Sequence, residues 1–224
     1  MSFNNYTKDL GLSKPVDFIY TSPEGVAWFD PLKPYTVLEY EWVMTNVDLE
    51  GKTVIDAGCH QGNYAVLFAA MGATVIGIDA HAGNCEATRL NLDTLYPDGH
   101  QVHNQALWRD YGTVRFSGES NGRIIAGGGV EVPCLKLSKF DWADVVKVDI
   151  ESAEFAVVPQ ALEEMPEVGT WIIEIHPDQN PAIIIDALKS HGFSVHLVDR
   201  DTMTVHPYHT MVWTSHATVI GVRK

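Results

Sequence analysis

The sequence predicts an α/β fold: a Rossmann-like, mostly parallel seven-stranded sheet with helices on both faces and a C-terminal antiparallel strand pair. Two observations carry this prediction. Short apolar runs alternate with helical patterns between residues 53 and 191, which is typical of parallel strands joined by crossover helices. The last two apolar runs, 193–198 and 216–222, have no helical pattern between them, so we expect them to pair antiparallel.

The length and net charge of the chain limit its domain number and its possible partners. The chain has 224 residues, of which 46% are hydrophobic. This suits one domain over residues 1–224, with an N-terminal leader and helix over 1–50 and an α/β core over 51–224. The 29 acidic and 15 basic residues give a net charge of −14. That charge argues against nucleic acid and against an anionic membrane surface as partners.

Cysteine usage and the N-terminus bear on location. Cys59, Cys85 and Cys134 have no C-x-x-C spacing, which argues against a structural zinc site and fits a reducing compartment. The first residues lack the basic start and apolar stretch of a signal peptide. The longest apolar region, residues 64–78, is interrupted and too short to span a bilayer. We therefore expect a soluble, cytoplasmic protein.

The remaining elements follow from local patterns. Residues 1–33 are mixed and rich in turn residues, so we expect an irregular leader that packs on the domain or covers its site. A helix is predicted over residues 35–46. The predicted strands are 53–56, 74–79, 101–104, 145–150, 171–176, 193–198 and 216–222, and the predicted helices between them are 62–71, 84–95, 153–165 and 181–191. Residues 113–116 and 130–135 predict a hairpin whose glycine-rich loop is either a mobile flap near the site or a surface turn.

A glycine turn after the first core strand is the main motif. Val54 to Asn63 form an apolar run with Asp56, then Gly58 and Gly62, and the next strand ends in Asp79. Glycine lets a ligand approach the backbone closely, and an acid about 20 residues later can accept hydrogen bonds from a ribose diol. The spacing is not G-x-G-x-x-G, so it favours an adenosine ligand without a pyrophosphate, such as S-adenosylmethionine. The alternative is a buried turn whose glycines only relieve steric crowding.

Each candidate cofactor residue has an expected role. Asp79 is expected at the ribose hydroxyls, Asp56 at the ligand's amine directly or through water, and the backbone near Ala106 at the adenine edge. The full set of candidate cofactor-binding residues is Asp56, Gly58, Cys59, Gly62, Asn63, Asp79, Ala80, Ala106 and Asp149.

Charged residues alternate with apolar ones from Lys147 to Glu154 on a strand that should be buried. Unpaired buried charges cost on the order of several kcal/mol, so Lys147 could pair with Glu151 or Glu174. One interpretation is an ion-pair network that fixes this strand. The other places Asp149 and Glu151 at the mouth of the site, near the methyl donor and the acceptor.

Together these motifs resemble the FkbM-type family of class I S-adenosylmethionine-dependent methyltransferases. The resemblance rests on residues 54–63, on the acids Asp56 and Asp79, and on the stretches 147–154 and 172–176, which are similar to V-x-D-x-G-x-x-x-G, K-x-D-x-E-G-x-E and E-x-H. Ser152 stands where the family usually has glycine, and Asp79-Ala80-His81 replaces glutamate-proline. The resemblance implies S-adenosylmethionine as cofactor and O-methylation of a small-molecule hydroxyl, such as that of a sugar or polyketide.

The candidate catalytic residues are Asp149, Glu151 and His176, one of which would take the acceptor's proton. The ordinary pKa of a histidine suits this role, although a lone histidine at a strand end is also often structural. A divalent metal held by Asp149, Glu174 and His176 would have suitable oxygen ligands, but the spacing does not require one.

Three other functions remain open at this stage. A non-catalytic module that binds S-adenosylmethionine or a nucleotide would keep the same motifs. A nicotinamide-dependent oxidoreductase is disfavoured because G-x-G-x-x-G is missing. A nucleic-acid methyltransferase is disfavoured because residues 180–183 match N-P-P-Y only in part and follow the fifth strand instead of the fourth.

Overall fold

The computed structural model describes residues 4–8, 16–20, 34–176, 180–199, 204–207 and 217–223. The strands are β1 (Asn4–Lys8), β2 (Val16–Tyr20), β3 (Thr53–Ala57), β4 (Thr74–Asp79), β5 (Gln101–Asn104), β6 (Ala106–Leu107), β7 (Gly112–Phe116), β8 (Val130–Leu135), β9 (Val145–Val148), β10 (Thr170–Ile175), β11 (Phe193–Asp199), β12 (Thr204–Pro207) and β13 (Ala217–Arg223). The helices are α1 (Pro34–Asn46), α2 (Asn63–Ala70), α3 (Ala82–Leu95), α4 (Glu154–Glu164) and α5 (Ala182–Ser190), with a 3₁₀ turn at Leu137–Phe140.

The main sheet has the strand order β12-β11-β13-β10-β9-β3-β4-β5. Strands β10, β9, β3, β4 and β5 are mutually parallel, whereas β13 runs antiparallel to both β10 and β11. The prediction of a mostly parallel sheet with an antiparallel C-terminal pair is therefore confirmed. The count of seven strands is wrong, because β12 pairs antiparallel with β11 and adds an eighth. That segment contains Pro207, which an outer strand tolerates, since among the described residues no further strand pairs with β12.

Both faces of the sheet are covered, which explains the near-continuous apolar runs of the central strands. Neighbouring residues of β10 point to opposite faces: Ile173 belongs to the same buried cluster as Val158 of α4 and Leu188 of α5. Ile172 belongs to a second cluster, which includes Phe68 of α2 and Tyr40 of α1. The sheet is thus held between α4 and α5 on one face and α1 and α2 on the other.

The N-terminal leader is not wholly irregular as predicted. Strands β1 and β2 pair antiparallel, and β2 lies beside α2 and α3. The other residues of the leader lie outside the described part of the chain. In the described ranges, no helix has both the length and the apolarity needed to cross a membrane.

The predicted hairpin is confirmed, since β7 and β8 pair antiparallel. The short strand β6 joins them in parallel with β8 and completes a three-stranded sheet. The order of the main sheet reverses between β3 and β9, because the chain first adds β4 and β5 on one side and then β9 and β10 on the other. In open α/β sheets, ligands bind in the crevice outside the carboxyl ends of strands at such a point.

Candidate functional site

A cavity of about 280 Å³ lies at the carboxyl ends of β3, β4 and β9, next to this reversal. Most of the predicted site residues line it, namely Asp56, Gly58, Cys59, Asn63, Asp79, Ala80, Ala106, Asp149 and Glu151. Two predicted residues do not. Gly62 lies at the start of α2, with φ 89°, and His176 lies behind Asp149 and Glu151. The fold therefore gathers at the cavity residues as distant in the chain as Asp56 and Glu151.

The glycine turn approaches β9 too closely for any side chain. Gly58 has φ 79°, and a Cβ at this position would lie 1.6 Å from the backbone oxygen of Asp149. Its amide donates to the carbonyl of Ile78 at 2.8 Å. The turn is thus fixed between the ends of β4 and β9, and the backbone itself forms part of the cavity wall.

Backbone amides orient the carboxylate of Asp79. Its Oδ2 accepts from the His60 amide at 2.9 Å, and its Oδ1 accepts from the His81 amide at 2.8 Å and from Asn84 Nδ2 at 3.2 Å. Burial raises the pKa of Asp79, while these hydrogen bonds act in the opposite direction. A carboxylate offers about four acceptor positions, so Oδ2 keeps one for a donor in the cavity.

Asp56 is 1% exposed, and neither of its oxygens has a hydrogen bond of good geometry from the described residues. Burial raises its pKa to about 6, although the charge of Lys147 lowers it. The backbone amide of Ala65 also lowers the pKa of Asp56, but a buried carboxylate whose acceptor positions are not fully hydrogen-bonded is costly. A cationic or N–H donor in the cavity would meet this need.

Lys147 is the cation at the base of the site and is 4% exposed. Its Nζ lies 3.3 Å from Asp149 Oδ2 and 4.8 Å from the ring centre of Tyr64. Burial lowers its pKa, but the charges of Asp149, Asp56 and Glu174 raise it above its ordinary value. Asp149 was not among the partners predicted for Lys147, whereas the influence of Glu174 was expected.

The three predicted catalytic residues lie together. His176 Nε2 is 3.3 Å from Glu151 Oε2 and 3.7 Å from Asp149 Oδ1, and its Nδ1 is 3.4 Å from Oε1 of the buried Glu154. Burial by itself lowers the pKa of His176, but the carboxylates of Glu154, Asp149 and Glu151 raise it to about 9. Burial raises the pKa of Glu151.

The turn that carries these residues uses an unusual backbone. Glu151 and Ser152 have φ 50° and 81°, a region in which glycine is favoured and other residues are strained. Ser152 therefore has the conformation of the glycine that the resemblance led us to expect there.

The loop between β7 and β8 lies at the cavity. Ser120 Oγ donates to Asn84 Oδ1 at 2.8 Å and lies 2.9 Å from His60 Nε2, while Phe116 and Ile124 line the cavity wall. Of the two interpretations of this loop, the position near the site is the correct one. Ser120 could not be predicted as a site residue, because an isolated serine in a glycine-rich loop carries no distinctive spacing.

Sequence reasoning also missed an acid on α1. Glu39 is buried and lines the cavity, and Tyr64 donates to its Oε2 at 2.6 Å. Thr218 donates to its other oxygen. A single acid in a helical apolar pattern gives no sign that it points inwards, so the sequence held no signal for it.

Solved structures share this architecture. The magnesium protoporphyrin IX methyltransferase of Synechocystis PCC 6803 with bound SAM aligns with a TM-score of 0.51 at 17% identity, over 85% of this chain and 79% of that one. A SAM-dependent methyltransferase of Agrobacterium tumefaciens aligns with a TM-score of 0.56 at 13% identity, over 98% and 70%. The chain has the class I SAM-dependent methyltransferase fold.

Matches to curated proteins cover a smaller part of this methyltransferase-like chain. The ubiquinone biosynthesis O-methyltransferase of Thiobacillus denitrificans is 40% identical over 74 residues, which are 33% of this chain and 31% of that protein. The ribosomal protein L11 methyltransferase of Vibrio cholerae is 48% identical over 56 residues, which are 25% and 19%. The chain thus matches less than a third of the length of either relative. No protein-family model matches the chain.

Proposed function

We propose that the protein is an S-adenosylmethionine-dependent methyltransferase of the FkbM type that methylates a hydroxyl group of a small molecule. The observation that carries the proposal is that Asp56 and Asp79 face one cavity at the reversal point of a class I methyltransferase fold. S-adenosylmethionine bears an ammonium group and a ribose diol, and these are the donors that the two acids require.

The cofactor-binding roles follow from the geometry of the acids. Asp56 accepts from the ligand's amine, because its buried oxygens lack hydrogen bonds of good geometry in the described chain. Asp79 Oδ2 accepts from a ribose hydroxyl at its remaining acceptor position. Gly58 lets the ligand lie against the backbone, and the segment at Ala106 faces the adenine.

In the proposed reaction, the cofactor supplies a methyl group already activated by its sulfonium. The protein aligns the acceptor oxygen with that methyl group and takes the hydroxyl proton as charge develops. Glu151 Oε2 is the preferred proton acceptor, since burial raises its pKa and His176 lies 3.3 Å away to hold it in place. Asp149 Oδ1 lies 3.7 Å from the same nitrogen of His176, Nε2, and Glu154 Oε1 lies 3.4 Å from Nδ1 on the other side of the ring.

The net charge of the chain and the position of the β7–β8 loop at the cavity support a small-molecule acceptor. The net charge of −14 opposes binding to a phosphate backbone, and the loop at Ser120 forms part of the cavity wall. The curated relatives include enzymes named for ubiquinone biosynthesis and for a ribosomal protein, so a protein acceptor is the second candidate. We further propose one domain and a cytoplasmic location, which the three free cysteines favour.

The test is calorimetric titration of S-adenosylmethionine into the wild type, Asp79→Ala and Asp93→Ala. Asp93 is an exposed acid on α3 and serves as the matched control. We expect micromolar binding to the wild type and the control, and none to Asp79→Ala. Absence of binding to the wild type, alone or with candidate acceptors, contradicts the proposal.

Turnover separates an enzyme from a binding module. The wild type is incubated with labelled S-adenosylmethionine and a panel of sugars, polyketide alcohols and protein extracts, and methylated products are identified by mass spectrometry. We expect methyl ethers on a small molecule. Cofactor binding with no product from any class would favour the non-catalytic module.

A further inference from the structure

Asp149, Glu151 and His176 bring three possible metal-ligand atoms close together. One carboxylate oxygen from each acid and a nitrogen of the histidine all lie within 4.8 Å of one another. His176 Nε2 is 3.3 Å from Glu151 Oε2 and 3.7 Å from Asp149 Oδ1. Ligand atoms that share a first-row metal ion at about 2.1 Å lie roughly 3–4 Å apart. The spacing therefore fits a shared ion with little movement.

A second observation concerns the far side of the histidine. Glu154 is 0% exposed and lies 3.4 Å from His176 Nδ1. Its Oε1 accepts from the Ile150 amide at 2.8 Å, whereas neither its Oε2 nor His176 Nδ1 has a hydrogen bond of good geometry from the described residues. A metal-binding histidine generally presents its other ring nitrogen to a carboxylate, which fixes the tautomer and the ring plane.

The local charge also favours a cation. The two carboxylate oxygens of Asp149 face different groups. Lys147 lies beside Oδ2, and Oδ1 points towards His176. Lys147 is the buried lysine of this region, and the carboxylates of the region are those of Asp56, Asp149, Glu151, Glu154 and Glu174. Lys147 and a protonated His176 supply two positive charges against five carboxylates, so a divalent ion that displaces the histidine proton would further relieve their repulsion.

We propose that Asp149, Glu151 and His176 bind a divalent first-row transition metal ion, with Glu154 as the positioning residue behind His176. Two carboxylate oxygens and one imidazole nitrogen suit Mn²⁺, Fe²⁺ or Zn²⁺. Glu174, which the sequence suggested as a ligand, is not part of this converging set.

The ion would have open coordination positions on the cavity side, because Asp149 and Glu151 line the cavity. An acceptor oxygen could occupy one of them and lose its proton more easily. This consequence rests on the proposed function and would give Glu151 the role of a metal ligand in place of a base. Metal binding itself does not depend on methyl transfer.

The probe is Mn²⁺, titrated into the EDTA-treated and dialysed full chain and followed by loss of the free-ion electron paramagnetic resonance signal. We expect one saturable ion per chain in the wild type. His176→Ala should lose saturable binding, and Glu154→Gln should weaken it about 10–100-fold. Glu163→Gln, an exposed acid on the same helix, should bind as the wild type does.

A spectroscopic arm reports the ligands directly. Co²⁺ bound to the wild type should show visible absorption bands that shift in Glu154→Gln and vanish in His176→Ala. If His176→Ala fails to fold, the nearly isosteric variants Glu154→Gln and Asp149→Asn still test the site, since both should bind the metal more weakly than the wild type does. Absence of saturable Mn²⁺ and Zn²⁺ binding to the wild type, or unchanged affinity in the folded variants, overturns the proposal and leaves an ion-paired histidine.

The two proposals fail separately. S-adenosylmethionine is titrated in EDTA, and Mn²⁺ is titrated without cofactor. Cofactor binding without metal binding contradicts the metal site alone. Metal binding without cofactor binding contradicts the methyltransferase proposal and leaves the metal site in place.

Discussion

Gly58 and Asp149 are in contact through their backbones: a Cβ at Gly58 would lie 1.6 Å from the Asp149 carbonyl oxygen. The contact joins the turn after β3 to the end of β9 across the reversal point of the sheet. The glycine turn proposed to bind the cofactor and the proposed metal and acceptor site therefore depend on one another for their position.

Gly58→Ala is expected to lower stability by more than the strain of its left-handed backbone, which costs about 1–2 kcal/mol, and to abolish binding of S-adenosylmethionine. Urea unfolding and calorimetry provide the two measurements. Gly51→Ala is the matched control, because Gly51 also has a positive φ, 68°, but a Cβ added there would have no neighbouring atom within 4 Å. Equal losses in the two variants would show that the Asp149 contact is unimportant.

Ser152→Gly is expected to stabilise the protein by about 1 kcal/mol, because glycine relieves the strain of a left-handed conformation. Urea unfolding measures the change. Ser190→Gly, in the last turn of α5, should instead destabilise by up to about 1 kcal/mol, since glycine weakens helices. A loss of stability in Ser152→Gly would mean that the serine hydroxyl contributes more than the strain costs.

Asp56→Asn is expected to weaken cofactor binding while it stabilises the free protein at neutral pH. The folded-state pKa of Asp56 is about 6, raised from 3.8 by burial, so the folded protein binds the proton more tightly than the unfolded chain does. The contribution of this group to wild-type stability should therefore fall as pH rises from about 4 to about 6. Unfolding curves at pH 4 and pH 7 should show that the free energy of unfolding of the variant, relative to that of the wild type, is higher at pH 7 than at pH 4. The same difference at both pH values would contradict this.

Glu164→Gln is expected to reduce stability near pH 7 by about 0.5–1 kcal/mol, as a partly exposed ion pair with Lys136 is lost. Hydrogen bonds from Lys136, Ser138 and Gln160 lower the pKa of Glu164 to about 2. The stabilisation is thus present above the ordinary pKa of 4.5 and disappears as pH falls towards 2. Urea unfolding at pH 7, 5 and 3 measures the stability difference between the variant and the wild type, which should shrink as pH falls. Glu163→Gln should show no such pH-dependent difference.

The parallel strands and the glycine turn could be predicted from the sequence because each depends on a local residue pattern. Alternating apolar runs and helices placed the parallel strands, and glycines at 58 and 62 placed the turn, because these features need particular residues at particular positions. The short edge strand β12 was missed since four residues ending in Pro207 form a strand only where β11 offers a partner. Glu39 was missed for a similar reason: its burial depends on Tyr64 and Thr218, which are distant in sequence.

The acids of the site could be predicted from the sequence, but the pairing of their side chains could not. Strand-end acids could be found because the carboxyl ends of parallel strands meet at one edge. The pairing of Lys147 with Asp149, two residues away on the same strand end, depends on side-chain direction, which spacing does not specify. Glu154 was part of a recognised motif, but its place behind His176 follows from the turn at Glu151 and Ser152.

The orientation of Asp79 by the amides of His60 and His81 has an evolutionary consequence. Backbone N–H groups are present in every residue except proline, so the side chains at positions 60 and 81 can be replaced without removing these donors. A sheet edge built in this way tolerates extensive divergence of sequence while the acid keeps its direction. Solved structures that are only 13–17% identical to this chain share its overall fold.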